Sequence, residues 1–203
     1  MNRQLLTRRF FVLGAISLPG CTALNTLNQA AQPRDTYDLN PVELEGGQRG
    51  TRSLLVLVPT APATIVTDRI LIKPTPISVA YLPDVRWADE VPLLVQSLLI
   101  RSLSFSGQFG FVGPQAAGPV PDFVVLTRID QFGVDALPDG SFKAVVQMNI
   151  TVLRDRDQRV IGTRRFEGSA LPSNDLAVPV VQAFQQILDA LLPDAVRWIG
   201  ARA

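Results

Sequence analysis

From Phe142 to Leu153 the chain alternates. Phe142, Ala144, Val146, Met148, Ile150 and Val152 fall on one side, and Lys143, Gln147, Asn149 and Thr151 on the other. A period of two marks a strand with one buried and one solvated face. A second strand is expected before it, over Asp122–Asp135, and a third after it, over Arg159–Ala170. Turn residues separate the three: Leu137-Pro138-Asp139-Gly140-Ser141 and Asp155-Arg156-Asp157-Gln158. The pattern predicts a β-meander.

Earlier in the chain the pattern is different. Leu54-Leu55-Val56-Leu57-Val58, closed by Pro59, is a continuous apolar run and predicts a buried strand over Ser53–Val58. Asp68–Lys73 and Ile77–Tyr81 predict two short strands, separated by Pro74 and Pro76. Val91, Leu94, Val95, Leu98 and Leu99 recur at helical spacing, which predicts a helix over Asp89–Phe105 with Asp89 as its cap, Pro92 in the first turn, and Gln96, Arg101 and Ser104 on a polar side. Ala177, Val180, Val181, Phe184, Leu188, Leu191, Ala195 and Trp198 form the stripe of a second helix over Asp175–Ile199, which Pro193 should kink or split. Together these elements predict an α+β fold, a largely antiparallel sheet with two main helices packed on one face.

The first 21 residues carry none of these signals. Arg3, Arg8 and Arg9 precede an apolar stretch from Phe10 to Leu18, and Leu18-Pro19-Gly20-Cys21 follows. This is the three-part order of an export signal. The apolar stretch is too short to span a bilayer, which takes about 20 residues. Leu18-Pro19-Gly20-Cys21 resembles a lipobox, in which the cysteine thiol receives lipid and a peptidase cuts just before it. Arg8-Arg9 followed by Phe11 resembles the twin-arginine export motif. The expected organisation is a signal over residues 1–20, a lipidated Cys21 with a small, polar tether over 21–36, and one periplasmic domain over 37–203. Thr22, where inner-membrane retention usually has Asp, favours the outer membrane. Anchoring of this kind is strong, since each buried methylene contributes about 0.8 kcal/mol.

Composition narrows the chemistry. The chain has no His and one Cys, which removes the commonest general base, any intrachain disulfide and any thiolate cage for a metal. Three of the 19 basic residues lie before Cys21, so the exported chain has 16 against 18 acidic ones. That balance offers no footprint for nucleic acid. Arg154, Arg156, Arg159, Arg164 and Arg165 form a loose group expected on a solvated hairpin. The carboxylates sit in turns (Asp139, Asp155, Asp157) or at helix starts (Asp89, Glu90, Asp175), where structure accounts for them. No Gly-x-Ser-x-Gly motif and no Gly-rich phosphate loop is present. The expectation is a chain with no catalytic residues, no metal and no cofactor, although a hydrolase working through carboxylates alone is an alternative.

One segment is more distinctive: Arg86-Trp87-Ala88-Asp89, with Pro92 three residues on. It resembles the Arg-Trp-Ala-(Glu/Asp)-x-x-Pro segment of the auxiliary lipoproteins of ABC-type transporters, the group that includes the PqiC/YmbA-like lipoproteins. The order of elements is similar too, from the lipobox and Tyr37-Asp38-Leu39 to the closing helix. The resemblance implies a non-enzymatic role in envelope lipid transport. The implied partners are an MCE-type substrate-binding protein and an ABC permease and ATPase. Assembly of several copies of the chain is a further implication. A structural or assembly lipoprotein of the outer envelope is the alternative. Arg86 and Trp87 have two readings: Trp87 covering one edge of the core with Arg86 paired near the helix start, or both meeting a partner.

Overall fold

The computed structural model describes residues 34–44, 50–114 and 118–203. The expected export signal, with Arg8, Arg9 and Cys21, and nearly all of the expected tether lie outside them. In chain order the elements are β1 (Asp35–Tyr37), β2 (Ser53–Val56), β3 (Leu71–Lys73), β4 (Ala80–Tyr81), β5 (Val85–Trp87), α1 (Val91–Phe105), β6 (Phe111–Gly113), β7 (Phe123–Ala136), β8 (Phe142–Arg154), β9 (Arg159–Ala170) and α2 (Ala177–Gly200).

The meander is the frame. β7 and β8 pair antiparallel from Phe123↔Arg154 to Ala136↔Phe142, and β8 and β9 from Ala144↔Ala170 to Arg154↔Arg159. Gly140 takes φ +82° at the β7–β8 turn, a conformation that costs an L side chain strain. There the Asp139 carboxylate accepts from both the amide and the hydroxyl of Ser141, at 3.0 and 2.6 Å. The second turn is a short 3-10 helix, Asp155–Asp157, closed by Gln158 at φ 54°.

The other edge of β7 is shared by two strands. β2 pairs parallel with its first residues (Leu54↔Phe123), and β3 pairs parallel with its last (Ile72↔Val134). Between them Thr60 bridges to Arg128. β6 extends β2 in parallel and β4 extends β3 antiparallel. A parallel neighbour needs a crossover, and α1 supplies it between β2 and β6. The long ladders are therefore antiparallel, with short parallel strands added at one edge. β1 and β5 form a separate parallel pair, Tyr37 beside Trp87.

Both helices cover one face of the sheet. Ala144, Val146, Met148, Ile150 and Val152 of β8 are buried there, the face that the alternation assigns to the core. α2 buries Val180, Phe184, Leu188, Leu191, Ala195 and Trp198 against it. The helix approaches β9 so closely that a Cβ at Gly168 would lie 2.8 Å from Cγ2 of Ile187. Pro193 does not split α2, which runs unbroken from Ala177 to Gly200. Buried Leu191 and Leu192 before the proline, and Ala195 and Val196 after it, fasten both halves to the core.

Two details of α1 differ from expectation. Its N-cap is Glu90, with no side-chain cap; the Asp89 carboxylate accepts instead from the Glu90 amide at 2.8 Å. Gln96 is not on a polar side. It is buried and donates to the Val56 carbonyl at 2.9 Å, tying α1 to β2. Strands β1, β5 and β6 have three residues each, too few for any alternation to be visible.

Candidate functional site

Arg86 and Trp87 lie on opposite faces of β5, as neighbours in a strand must. Trp87 turns inward and is buried. Its ring meets Phe184 edge-on, centroids 5.3 Å apart, and Phe132 edge-on at 5.9 Å, while those two phenylalanines stack at 4.8 Å. The backbone is held as well: the Trp87 amide donates to the Asp68 carbonyl at 2.6 Å, and the Ala88 amide to the Tyr37 carbonyl at 2.7 Å. Trp87 thus joins β7, α2 and the β1–β5 pair at the centre of the core, not at its edge. Arg86 turns outward. Its Nε donates to Thr36 Oγ1 at 3.1 Å, and its guanidinium lies 3.7 Å from the Asp68 carboxylate. Both residues are occupied within the fold, and Arg86 also remains exposed to solvent.

The sheet face opposite the helices is open. Leu126, Arg128, Asn149, Thr151, Thr163 and Arg165 lie across it on three adjacent strands. A β-bulge between Ile129 and Gln131 brings in Asp130. The Asp130 carboxylate accepts from Arg128 Nε at 2.7 Å and from Asn149 Nδ2 at 2.5 Å. The Arg128 hydrogen bond holds its carboxyl below the usual range. The hydroxyls of Thr151 and Thr163 are 2.9 Å apart, and Arg165 pairs with Glu167 at 2.8 Å. Leu57, Val58 and Thr60 wall a hollow of about 460 Å³ on this face, over Leu126, Thr151 and Thr163. A second hollow, about 390 Å³, lies between β9 and α2, where Arg164 pairs with Asp194 at 2.6 Å. The sequence assigned Asn149 and Thr151 to the outward face; the matching residues of β7 and β9 emerge only once the register is known.

The carboxylates with perturbed acidity are all shifted down. Asp122 is held low by the Ser53 amide and hydroxyl, Asp139 by Ser141, and Asp157 by Arg154, to about 2. Such groups stay ionised and accept hydrogen bonds; they are not poised to deliver a proton at neutral pH. The arginine group divides: Arg154 closes the β8–β9 turn on Asp157 at 2.6 Å, while Arg164 and Arg165 take partners on opposite sides of β9. Among the described residues no group of three or more Asp, Glu or Cys side chains could hold a metal ion, and no helix is long and apolar enough to cross a membrane.

No curated protein matches the chain. Among solved structures it is similar to protein XCC0632 of Xanthomonas campestris, of family DUF330, at 22% identity and a TM-score of 0.74, covering 82% of this chain and 95% of that one. A protein described as uncharacterized is similar at 15% identity and a TM-score of 0.63, covering 83% and 99%. The hypothetical protein CT253 of Chlamydia trachomatis is similar at 12% and 0.50, covering 75% and 98%. At these identities the likeness is one of fold. A family model matches residues 37–195, from the first strand to the last turns of α2, and by that match the chain belongs to the family of the ABC-type transport auxiliary lipoprotein component.

Proposed function

We propose that this chain is a non-enzymatic accessory of an MCE-type lipid transport system, held at the periplasmic side of the outer membrane by lipid on Cys21. The observation that carries the proposal is the family match over residues 37–195, which takes in all of β5, α1, the meander and most of α2. The chemistry of the domain supports a binding role. It has no His, its perturbed carboxylates are held in the charged form, and its open sheet face presents side-chain amides, hydroxyls and ion pairs around a shallow apolar hollow. Such a surface suits a protein partner better than a small substrate, which calls for a concave and largely enclosed site. Export by the twin-arginine route through Arg8 and Arg9 belongs to the same proposal.

The test is affinity capture of the full chain, tagged at its C-terminus, from native membranes. Recovery of an MCE-type protein with its permease and ATPase is the expected result. Recovery of β-barrel or lipopolysaccharide assembly factors instead would favour a structural or assembly lipoprotein.

A further inference from the structure

One end of the domain carries exposed apolar side chains on two separate segments. In the loop after β3, Ile77 is 97% exposed and Val79 48%. In the corner between β9 and α2, Leu171 is 67% exposed, Leu176 65% and Val178 49%. The register sets both segments at one level: Ile72 lies beside Val134, Val134 opposite Ala144, and Ala144 opposite Ala170. The turn that joins β7 to β8, with Leu137 and Pro138, lies between them. At the opposite end Phe105, Val120 and Val160 are exposed too, but five of the eleven exposed large apolar side chains among the described residues gather at this end, and such a gathering marks a contact site.

The described part of this domain's chain begins beside β5, where the Asp35 amide donates to the Asp84 carbonyl. From Tyr37, beside Trp87, it passes Gln185 at Asn40, Ser102 at Val42 and Gly107 at Gly50. That course runs from the first half of α2 to the last turn of α1, away from the apolar end. Arg34 precedes this course in the chain. Between Cys21 and Arg34 lie about 13 steps of chain, which reach at most about 45 Å when fully extended.

We infer that this apolar end rests on the bilayer that holds the anchor, with Ile77, Leu171 and Leu176 entering the boundary between headgroups and acyl chains. The inference rests on the reading of Cys21 as the lipidated residue. A tether this short holds the end near the surface at about millimolar effective concentration, so a contact too weak to bind a free domain is sufficient. The charges at this end are mixed, Lys73 and Lys143 against Asp135, Asp139 and Asp175. Apolar contact, not attraction to anionic lipid, supplies the affinity, and salt should change it little. In this pose the far end, where α1 finishes, points into the periplasm.

Lipidation consumes the thiol of Cys21, the chain's one cysteine, so an introduced cysteine is the sole reactive thiol of the full-length protein. I77C, L176C and the control V120C, at the far end, are each labelled with an environment-sensitive fluorophore. Each is reconstituted in phosphatidylethanolamine/phosphatidylcholine vesicles that contain nitroxide-labelled lipid. Quenching at 77 and 176 at least twofold greater than at 120, unchanged by added salt, is expected. Equal quenching at all three positions, in protein that floats with the vesicles, overturns the inference while leaving the anchor intact. Failure to float with an unmodified Cys21 overturns the anchor and the inference together. Labels shielded in native membranes but unquenched in protein-free vesicles would place a protein at this end, and also overturn it.

Discussion

The indole of Trp87 stands perpendicular to the ring of Phe184, planes at 89° and centroids 5.3 Å apart, and this contact joins the three-residue strand β5 to the longest helix. β5 has few backbone partners, so its position depends on the side chain it buries. Trp87→Ala should cost about 3–5 kcal/mol, the usual loss for a large aromatic removed from a packed core. Thermal unfolding of the full chain should show a melting temperature lower by about 10 °C or more. Trp87→Phe, which keeps part of the edge-on contact, should lose less than half as much. A Trp87→Ala protein that melts with the parent would show that the ring does not hold β5.

Arg86, one residue away, should behave differently. Its ion pair with Asp68 is long and solvated, and exposed pairs contribute about 0–1 kcal/mol. Arg86→Gln should leave the denaturation midpoint within that range. The same variant separates the two readings of the Arg-Trp segment. If affinity capture of the transport partners falls tenfold while stability holds, Arg86 meets a partner. If capture is unchanged, its role ends with Asp68 and Thr36.

The meander could be read from the sequence because its strands are long. Over 13 residues of β8 the period of two is unmistakable, and Asp139-Gly140 and Asp155–Gln158 mark where the strands turn. β1, β5 and β6 were hidden, since three residues cannot show a period, and their parallel pairing joins segments about 50 residues apart, which no local signal reports. Gln96 shows the same limit. A helical wheel marks it polar, but tertiary structure buries it because the Val56 carbonyl lies within reach. The outward face was only half legible: β8 assigns Asn149 and Thr151 to it, but Asp130 comes from a bulge that alternation cannot foresee. Cys21, Arg8 and Arg9 rest on sequence motif alone.

Acid titration should reveal the Arg154–Asp157 contact at the β8–β9 turn. The Asp157 carboxyl, held at about 2 by the guanidinium, stays ionised where an unpaired aspartate would protonate. A lowered folded-state pKa stabilises the fold above the unfolded value, about 3.9, and that contribution is lost as pH falls from about 4 through about 2. Arg154→Gln should return the Asp157 carboxyl to the ordinary aspartate range in an NMR titration. Both groups are well solvated, so stability at pH 7 should barely change.

Gly168 should tolerate no side chain while Ile187 stays in place. An added Cβ would meet Ile187 Cγ2 at 2.8 Å, so Gly168→Ala should push α2 away from β9 and cost about 1–3 kcal/mol. The double variant with Ile187→Ala removes the obstructing methyl. In a double-mutant cycle the Gly168→Ala cost should be smaller in that background. Equal costs in the two backgrounds would place the strain elsewhere.

Thr127 offers a stabilising change. On β7 it pairs with Ile150 and is buried, and its Oγ1 has no hydrogen-bond partner. Its carbonyl accepts from the Thr60 amide at 2.9 Å, whereas the hydroxyl is left over. A buried donor without an acceptor forfeits the hydrogen bonds it makes to water in the unfolded chain, a cost of about 1–3 kcal/mol. Valine has nearly the same shape and the same χ1 preference without that hydroxyl. Thr127→Val should therefore raise stability by about 1 kcal/mol, read as a higher denaturant midpoint at unchanged slope. Thr127→Ser keeps the hydroxyl and loses a methyl, and should destabilise. A Thr127→Val protein less stable than the parent would mean that the hydroxyl finds a partner in solution, such as a buried water, and that its removal costs that bond.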